Sequence, residues 1–561
     1  MSTSHNGTAM MERLMHWFSY QADQPLIFTQ TAFWFFFAAV MLGYAVIYPR
    51  KGLRNAYLFF ISLFFYYKTS GLFVLLLIFS TVTDYQIGWQ MIRSNSQLSR
   101  KLWLALSIFI NLAVLVYFKY AYFFTDAYNA LMHTDHEVYN LLAHWSNGAF
   151  GTSFRAEKIF LPVGISFFTF QTMSYAIDIY RGDVQPVKNV LDFGFYVSFF
   201  PQLVAGPIVR ASEFIPQLYL PYTVTRQQFG VALFWILNGL LKKMLLADYL
   251  AVNFIDRVFA NPGSFSGFEN LAALFGYSLQ VYADFSGYTD IAIGVAALLG
   301  FTLPVNFNSP YKADSVADFW KRWHISLSTW LRDYLYIPMG GNRHGSLFSY
   351  IMIGFVALFL FLIRPGLHTV ALLLIPALGL VLAHRFIPGV RRHIDTNINL
   401  MLTMTIGGLW HGASLNMIIW GAINGAGLIV YKYWNRISPW RTRRPALIRA
   451  GAILLTLTFI TFTRTWFRGE SLEKVQIMLS RIAFHFDASL IPRVVTGYST
   501  VFAFLAGGYL IHWLPASWKD TLRDRFSRAH LSVQAVVIVI AIILIYQVMS
   551  ADLQPFIYFV F

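Results

Sequence analysis

Two histidines offer the most usable chemistry in the chain. His324 lies in SVADFWKRWHISLSTWLRDYLYIP (residues 315–338), and His411 lies in GGLWHGAS, 87 residues further on. An imidazole takes up and returns a proton near neutral pH, so two of them meeting in a sheltered chamber suit general-base work. The proton would come from a hydroxyl, and the attacked centre would be an activated carbonyl. Cysteine is absent, which excludes disulfides, thiolate nucleophiles, acyl-cysteine intermediates and cysteine-ligated metals. Direct transfer is then the simpler route, with Ser326 or Ser328 as an acylated intermediate left open. No Walker loop, dinucleotide fingerprint or zincin helix is present.

Other polar groups stand where apolar sequence surrounds them. Asp284, Ser286, Tyr288 and Asp290 follow one another in YADFSGYTD, and carboxylates there are costly unless they face protein or water. A hydrogen-bonding role and a substrate-positioning role suit them equally. Lys242, Lys243 and Asp248 sit at a helix end, where snorkelling accounts for them. Gln171, Asp178, Tyr180, Arg181, Gln202 and Arg210 would line an internal chamber or serve as interfacial anchors. His133, Asp135, His136 and Glu137 match no standard metal-ligand spacing and read as a solvated loop, so no metal site is expected.

The elements that must position the histidines follow from periodicity. In 315–338, Trp320, Trp323, Leu327, Trp330, Leu331 and Tyr334 share one helical face, while Asp318, Lys321, Arg322, Thr329, Arg332 and Asp333 share the other. With Ser315 as N-cap and Pro338 as stop, the spacing predicts one interfacial helix with His324 at the edge of its aromatic stripe. His411 lies between basic loops at 385–393 and 435–449. Both loops are cytoplasmic by charge, so the chain must enter and return between them. The natural reversal is GGLWHGAS, which puts His411 at the apex of a hairpin inside the membrane. Gly407, Gly408 and Gly412 suggest close approach of another backbone or a ligand.

Composition sets the frame. The 561 residues are 57% hydrophobic and only 12% charged, whereas a soluble domain carries about 25% charged residues. Apolar windows of about 17–25 residues, each long enough to cross a bilayer, recur along the chain. The reading is an all-α polytopic membrane protein with roughly a dozen crossings. The segments fall near 27–48, 55–67, 72–91, 102–124, 228–247, 266–283, 287–303, 346–363, 367–384, 447–465, 499–514 and 532–549. A tight turn is expected at Lys68–Gly71, an outer loop at 125–158, and broken or re-entrant helices between 160 and 216. The net charge of +16 clusters in short loops and reports orientation, not a nucleic-acid partner. Residues 1–26 form a polar N-terminal segment and 27–561 one membrane domain. These features alone indicate a membrane-embedded enzyme or a transporter with a histidine site. A transporter or flippase for lipid-linked sugars is the rival class.

DFWKRWHISLSTWLRDYLYIPMGGNR and GGLWHGASLNMIIWG resemble the two signature regions of the membrane-bound O-acyltransferase (MBOAT) family, in the bacterial branch typified by alginate O-acetyltransferases. LPVGISFFTFQTMSYAIDIYRG, SFFPQLVAGPIVR, GLLKKMLLAD, YADFSGYTDIAIG and VNFNSPY extend the likeness over nearly the whole chain, with core motifs in 160–434. The tail departs slightly, ending FIYFVF where FIYFQF is expected.

The resemblance implies a helical fold enclosing a transmembrane funnel or tunnel, in a bacterial inner membrane. It makes His411 the catalytic base and His324 a second acid/base or positioning group. Trp323, Trp410, Arg332 and Asp333 are candidates for shaping the substrate site, beside Asp284, Tyr288 and Asp290. No cofactor is implied. The donor would be a cytoplasmic thioester, either acetyl-CoA or an acyl carrier. The acceptor would be an exported polysaccharide of alginate or cellulose type, or a periplasmic acetyltransferase partner on the outer side. Peptidoglycan O-acylation and D-alanyl transfer are the alternatives within the class.

Overall fold

The computed structural model describes residues 18–21, 24–150, 158–387, 390–441 and 444–548. The first 17 residues of the polar N-terminal segment and the aromatic tail lie outside the described residues. Among the described residues every regular element is helical. Among the described residues five helical runs are long and apolar enough to cross a bilayer, or six if Ala488–Gly497 and Ser499–Trp513, bent by 94°, form one span. The run Lys51–Arg93 counts once among them although it holds two helices, and Thr31–Ile47 and Leu347–Ile363 are apolar but shorter.

The helices that build the site begin with α1 (Lys51–Ser70) and α2 (Val74–Arg93). They form one helical run that folds back at Gly71, whose φ of +62° suits glycine. The reversal shows in their far ends. Asn55 on α1 bonds Asp192 and Trp89 on α2 bonds the Val187 carbonyl, so both ends reach the same short stretch, 187–192. The expected turn at 68–71 is therefore present. Next, α3 (Gln97–Met132) runs further than expected, taking in the start of the expected outer loop.

A buried polar knot fixes α2, α3 and α4 (Ile165–Arg181) against one another. Asp84 accepts from Ser107 at 2.5 Å and from Asn111 at 2.8 Å, and the Asn111 Oδ1 accepts from Thr172 at 2.8 Å. A network satisfied this way holds helix register more tightly than apolar contact alone.

The helix α5 (Arg226–Leu240) continues through two π-helical stretches to Ala260 and packs on α6 (Gly267–Leu298). The segments expected separately at 266–283 and 287–303 are thus one helix of 32 residues, capped by Ser266 and Glu269. The polar run in its middle does not break it, because its charges are met across the interface. Lys242 bonds Asp290 at 2.7 Å, and Lys243 bonds Asp284 at 2.6 Å and Asp248 at 2.7 Å.

The next elements are α7 (Val316–Arg322) and α8 (Ile325–Leu331), followed by a π turn at Arg332–Tyr336. An antiparallel pair follows, α9 (Arg391–His411) and α10 (Leu415–Ile437), and then α11 (Ala446–Arg468). The basic segments converge on one end of the molecule. Arg100 reaches the Tyr180 carbonyl, Arg181 the Asp333 carbonyl, Arg392 the Asn342 carbonyl, and Arg444 pairs with Asp314.

Candidate functional site

His411 is the last residue of α9, and α10 starts four positions later, so it stands at the apex of the pair. Glycine makes the pair possible. A Cβ on Gly408 would run into the Met417 carbonyl, and one on Gly421 into the Met404 carbonyl. The imidazole is 5% exposed and is ringed by Trp410, Trp420 and Phe467, with centroids 4.8, 5.3 and 5.2 Å away.

The single helix expected over 315–338 is broken at His324. That residue adopts φ +44°, ψ +56°, a left-handed conformation rare outside glycine, and separates α7 from α8. Such strain, about 1–3 kcal/mol, persists only where surroundings over-determine it. The determinant is the segment 306–308. The Asn308 N–H donates to the Arg322 carbonyl and the Ile325 N–H to the Asn306 carbonyl, both at 2.9 Å. The Asn306 Oδ1 accepts the Ser326 N–H at 3.1 Å and the Ser326 hydroxyl at 2.9 Å. Asn306 thus supplies, from outside the helix, acceptors for two donors of the first turn of α8 that have no partner within it. The same Oδ1 meets His324 Nδ1 at 3.2 Å. An oxygen that also accepts a backbone N–H requires Nδ1 to carry the proton, so the lone pair is on Nε2. Ser326 is committed to this joint, since its Oγ also accepts from the Ile208 N–H at 3.0 Å, and Ser328 donates to the Trp323 carbonyl.

The two histidines come together around one tryptophan. The Trp410 ring lies 4.8 Å from His411 and 6.4 Å from His324. His324, 1% exposed, is flanked by Phe285 at 4.7 Å. On one side of this cluster His411 lines a narrow cavity of about 40 Å³ with Lys119, Ser166, Phe167, Val204 and Trp410 among its walls. That is room for roughly three water molecules.

On the other side an aromatic column leads away. Phe170 lies between Trp410 at 5.3 Å and Trp330 at 3.9 Å, and Trp330 meets Tyr334 at 5.1 Å. The Tyr334 hydroxyl donates to the Asp178 carboxylate at 2.8 Å. There begins an open basin of about 410 Å³ walled by Asp178, Arg181, Asp183, Arg210, Ser212, Asp333 and Ile337, at the basic end. Phe167 at the cavity and Asp178 at the basin are on the same helix, about 16 Å apart along its axis. Asp333 is held by Arg210 and Arg332, both at 2.6 Å. Burial alone would raise its carboxyl, but the hydrogen bonds from Arg332 and Arg210 outweigh it and keep it below the usual range.

The sequence candidates divide accordingly. His411, His324 and Trp410 meet; Trp323 adjoins them and carries the Arg464 guanidinium over its ring at 4.4 Å. Asp178, Arg181, Arg210 and Asp333 wall the basin, and the more exposed Arg332 is bonded to Asp333 without lining it. Asp284, Tyr288 and Asp290 line neither cavity. The two carboxylates are tied to Lys243 and Lys242, and Tyr288 stacks on Phe28 at 4.6 Å. Tyr180 faces Gln97 and Arg100 instead of a chamber. Sequence reasoning missed Asn306 and Lys119. A lone lysine within the apolar run 102–124 was a readable signal; nothing local marked Asn306.

The family model described as MBOAT, membrane-bound O-acyltransferase family, matches residues 185–396. The chain is 34% identical over 453 residues to the probable alginate O-acetylase AlgI of Azotobacter vinelandii, covering 80% of this chain and 76% of that one. The AlgI of Pseudomonas aeruginosa is 35% identical over 453 residues, 80% of this chain and 73% of its own length. This chain belongs to the membrane-bound O-acyltransferase family. It is accordingly a multi-pass membrane O-acyltransferase. The peptidoglycan O-acetyltransferase of Helicobacter pylori is 32% identical over 483 residues, 80% of this chain and 78% of that protein.

Proposed function

We propose that this protein moves an acetyl group from a thioester donor, acetyl-CoA or an acyl carrier, onto hydroxyls of an exported cell-surface polysaccharide of alginate or cellulose type. One observation carries the reading: His324 and His411, distant in sequence, pack around Trp410 between a narrow cavity and an open polar basin at the basic end. By the distribution of Lys and Arg the basin end is cytoplasmic, so the donor arrives there and the acceptor, or a periplasmic acetyltransferase, engages the cavity side. The setting is a bacterial inner membrane.

His411, which lines the cavity, takes the proton of the acceptor hydroxyl. His324 presents the Nε2 lone pair and orients the thioester carbonyl or assists as second acid/base. Trp410 and Trp323 shape the passage between them, and Asp333 with Arg332 bounds the donor entrance. The aromatic enclosure keeps bulk water from competing with the acceptor.

The decisive experiment compares the acetyl content of the cell's polysaccharide, by NMR, in parent, deletion and His411→Ala strains with equal protein levels. Loss of acetylation in both mutants supports the reading; unchanged acetyl content in His411→Ala refutes it. A transporter would still move its substrate in that strain. The similarity to the Helicobacter pylori protein favours peptidoglycan as the second acceptor class, and acetyl analysis of purified peptidoglycan from the same strains separates the two.

A further inference from the structure

Lys119 lies on α3, within an otherwise apolar stretch, and its place is fixed by the helix that carries His411. Its ammonium donates to the Trp410 carbonyl at 2.5 Å, and the neighbouring Tyr120 hydroxyl donates to the Leu409 carbonyl at 2.6 Å. Both carbonyls belong to the last turn of α9, where helix geometry leaves acceptors without N–H partners. The partial negative charge of that helix end helps to hold a cation there. An ammonium has three donors, so capping one carbonyl leaves two.

A purely structural cap would account for the bond to Trp410, but not for the rest of the setting. Lys119 lines the same narrow cavity as His411. Among the described residues it forms no ion pair with a carboxylate. A cation without a fixed counter-charge, deep in apolar surroundings, is suited to a negative charge that appears only during reaction. The cavity decides which charge. The cavity of about 40 Å³ has room for the few atoms of an acetyl group beside both Lys119 and His411, so the charge is that of the reacting carbonyl.

We propose that Lys119 stabilises the oxyanion of acyl transfer, a role that rests on His411 being the base. The acceptor O–H gives its proton to His411 as the hydroxyl oxygen bonds to the thioester carbonyl carbon. The carbonyl π pair moves onto its oxygen, which faces the Lys119 ammonium. As that pair returns, the C–S bond breaks, the sulfur leaves with its electrons, and the proton held by His411 passes to it. Charge and protons balance with no further reactant.

The test is steady-state kinetics of the full-length protein in liposomes, using acetyl-CoA as donor, a soluble oligosaccharide as acceptor and thiol release as readout. Lys119→Met should lower kcat by about 10²–10³-fold while leaving both KM values within about threefold. A wild-type kcat, or a loss confined to KM, overturns the proposal. Thermal melting identifies a purely structural defect. If Lys119→Met melts early, Lys119→Arg decides, because it keeps both charge and cap: restored stability with restored turnover supports the role, and restored stability without turnover overturns it. An active His411→Ala, or a wild type inert towards acetyl-CoA, would instead strike at the underlying transferase reading.

Discussion

Replacing Asn306 with alanine should separate the chemistry of His324 from the stability of the fold. One oxygen, Oδ1, receives the Ser326 N–H, the Ser326 hydroxyl and His324 Nδ1. The serine hydroxyl can rotate to another acceptor, but the backbone N–H and the imidazole N–H cannot. Leaving a buried donor without a partner costs about 1–3 kcal/mol, and losing an N-cap acceptor costs about 1 kcal/mol. The left-handed backbone at His324 stores a further ~1–3 kcal/mol that the joint no longer opposes. The cheapest relaxation is to let His324 leave that conformation, or to move its proton to Nε2. Either change removes the lone pair from the site. At about 1.4 kcal/mol per tenfold in rate, a 1.5–3 kcal/mol misplacement corresponds to roughly 10–10²-fold in kcat.

Asn306→Asp is the matched control. It keeps an acceptor oxygen for the same three donors and turns Nδ2, which has no hydrogen-bond partner among the described residues, into a second carboxyl oxygen, so it should hold the joint and retain more turnover than Asn306→Ala despite the cost of burying a carboxyl. The assay is thiol release by purified protein, with thermal melting alongside. In a His324→Ala background, Asn306→Ala should cost little more, since both act through one imidazole. Full turnover in Asn306→Ala, or additive losses in the double variant, would refute the reasoning.

Three further outcomes are expected. Lys243→Met strands the buried carboxylate of Asp284 and the part-buried one of Asp248, and should destabilise by about 3–5 kcal/mol, with partial recovery in Lys243→Met/Asp284→Asn, read by thermal melting in detergent. Gly408→Ala forces α9 and α10 apart at the Met417 carbonyl, an overpacking cost of about 1–3 kcal/mol, and should reduce turnover by displacing His411; unchanged melting would contradict the close approach. Asp333 has a carboxyl held below its usual pKa, so its pairing with Arg210 and Arg332 adds stability above about pH 4 and loses it as pH falls further. Asp333→Asn should therefore melt lower at neutral pH, by no more than about 1 kcal/mol at this part-exposed site, and the gap should close in acid.

Local pattern is enough for the fold class and for one position of the site. Apolar windows and sparse charge give a helical membrane protein, because a bilayer leaves few other ways to satisfy backbone groups. Basic loops on both sides of GGLWHGAS force a reversal there, and the glycines that let α9 and α10 touch are visible as glycines, so the apex position of His411 was legible. The remaining features depend on contacts between distant segments. The periodicity of 315–338 is that of one helix, yet acceptors from Asn306, 18 residues before His324, make a break there the lower-energy arrangement. The polar run at 284–290 leaves hydrogen bonding and substrate positioning equally open from sequence, and it is lysines on a neighbouring helix that tie its carboxylates into internal ion pairs while α6 passes through unbroken. Lys119 reaches Trp410 across 291 residues of chain. Hydrogen-bond partners and counter-charges of this kind are supplied by other elements, and a residue's own neighbours in sequence carry no record of them.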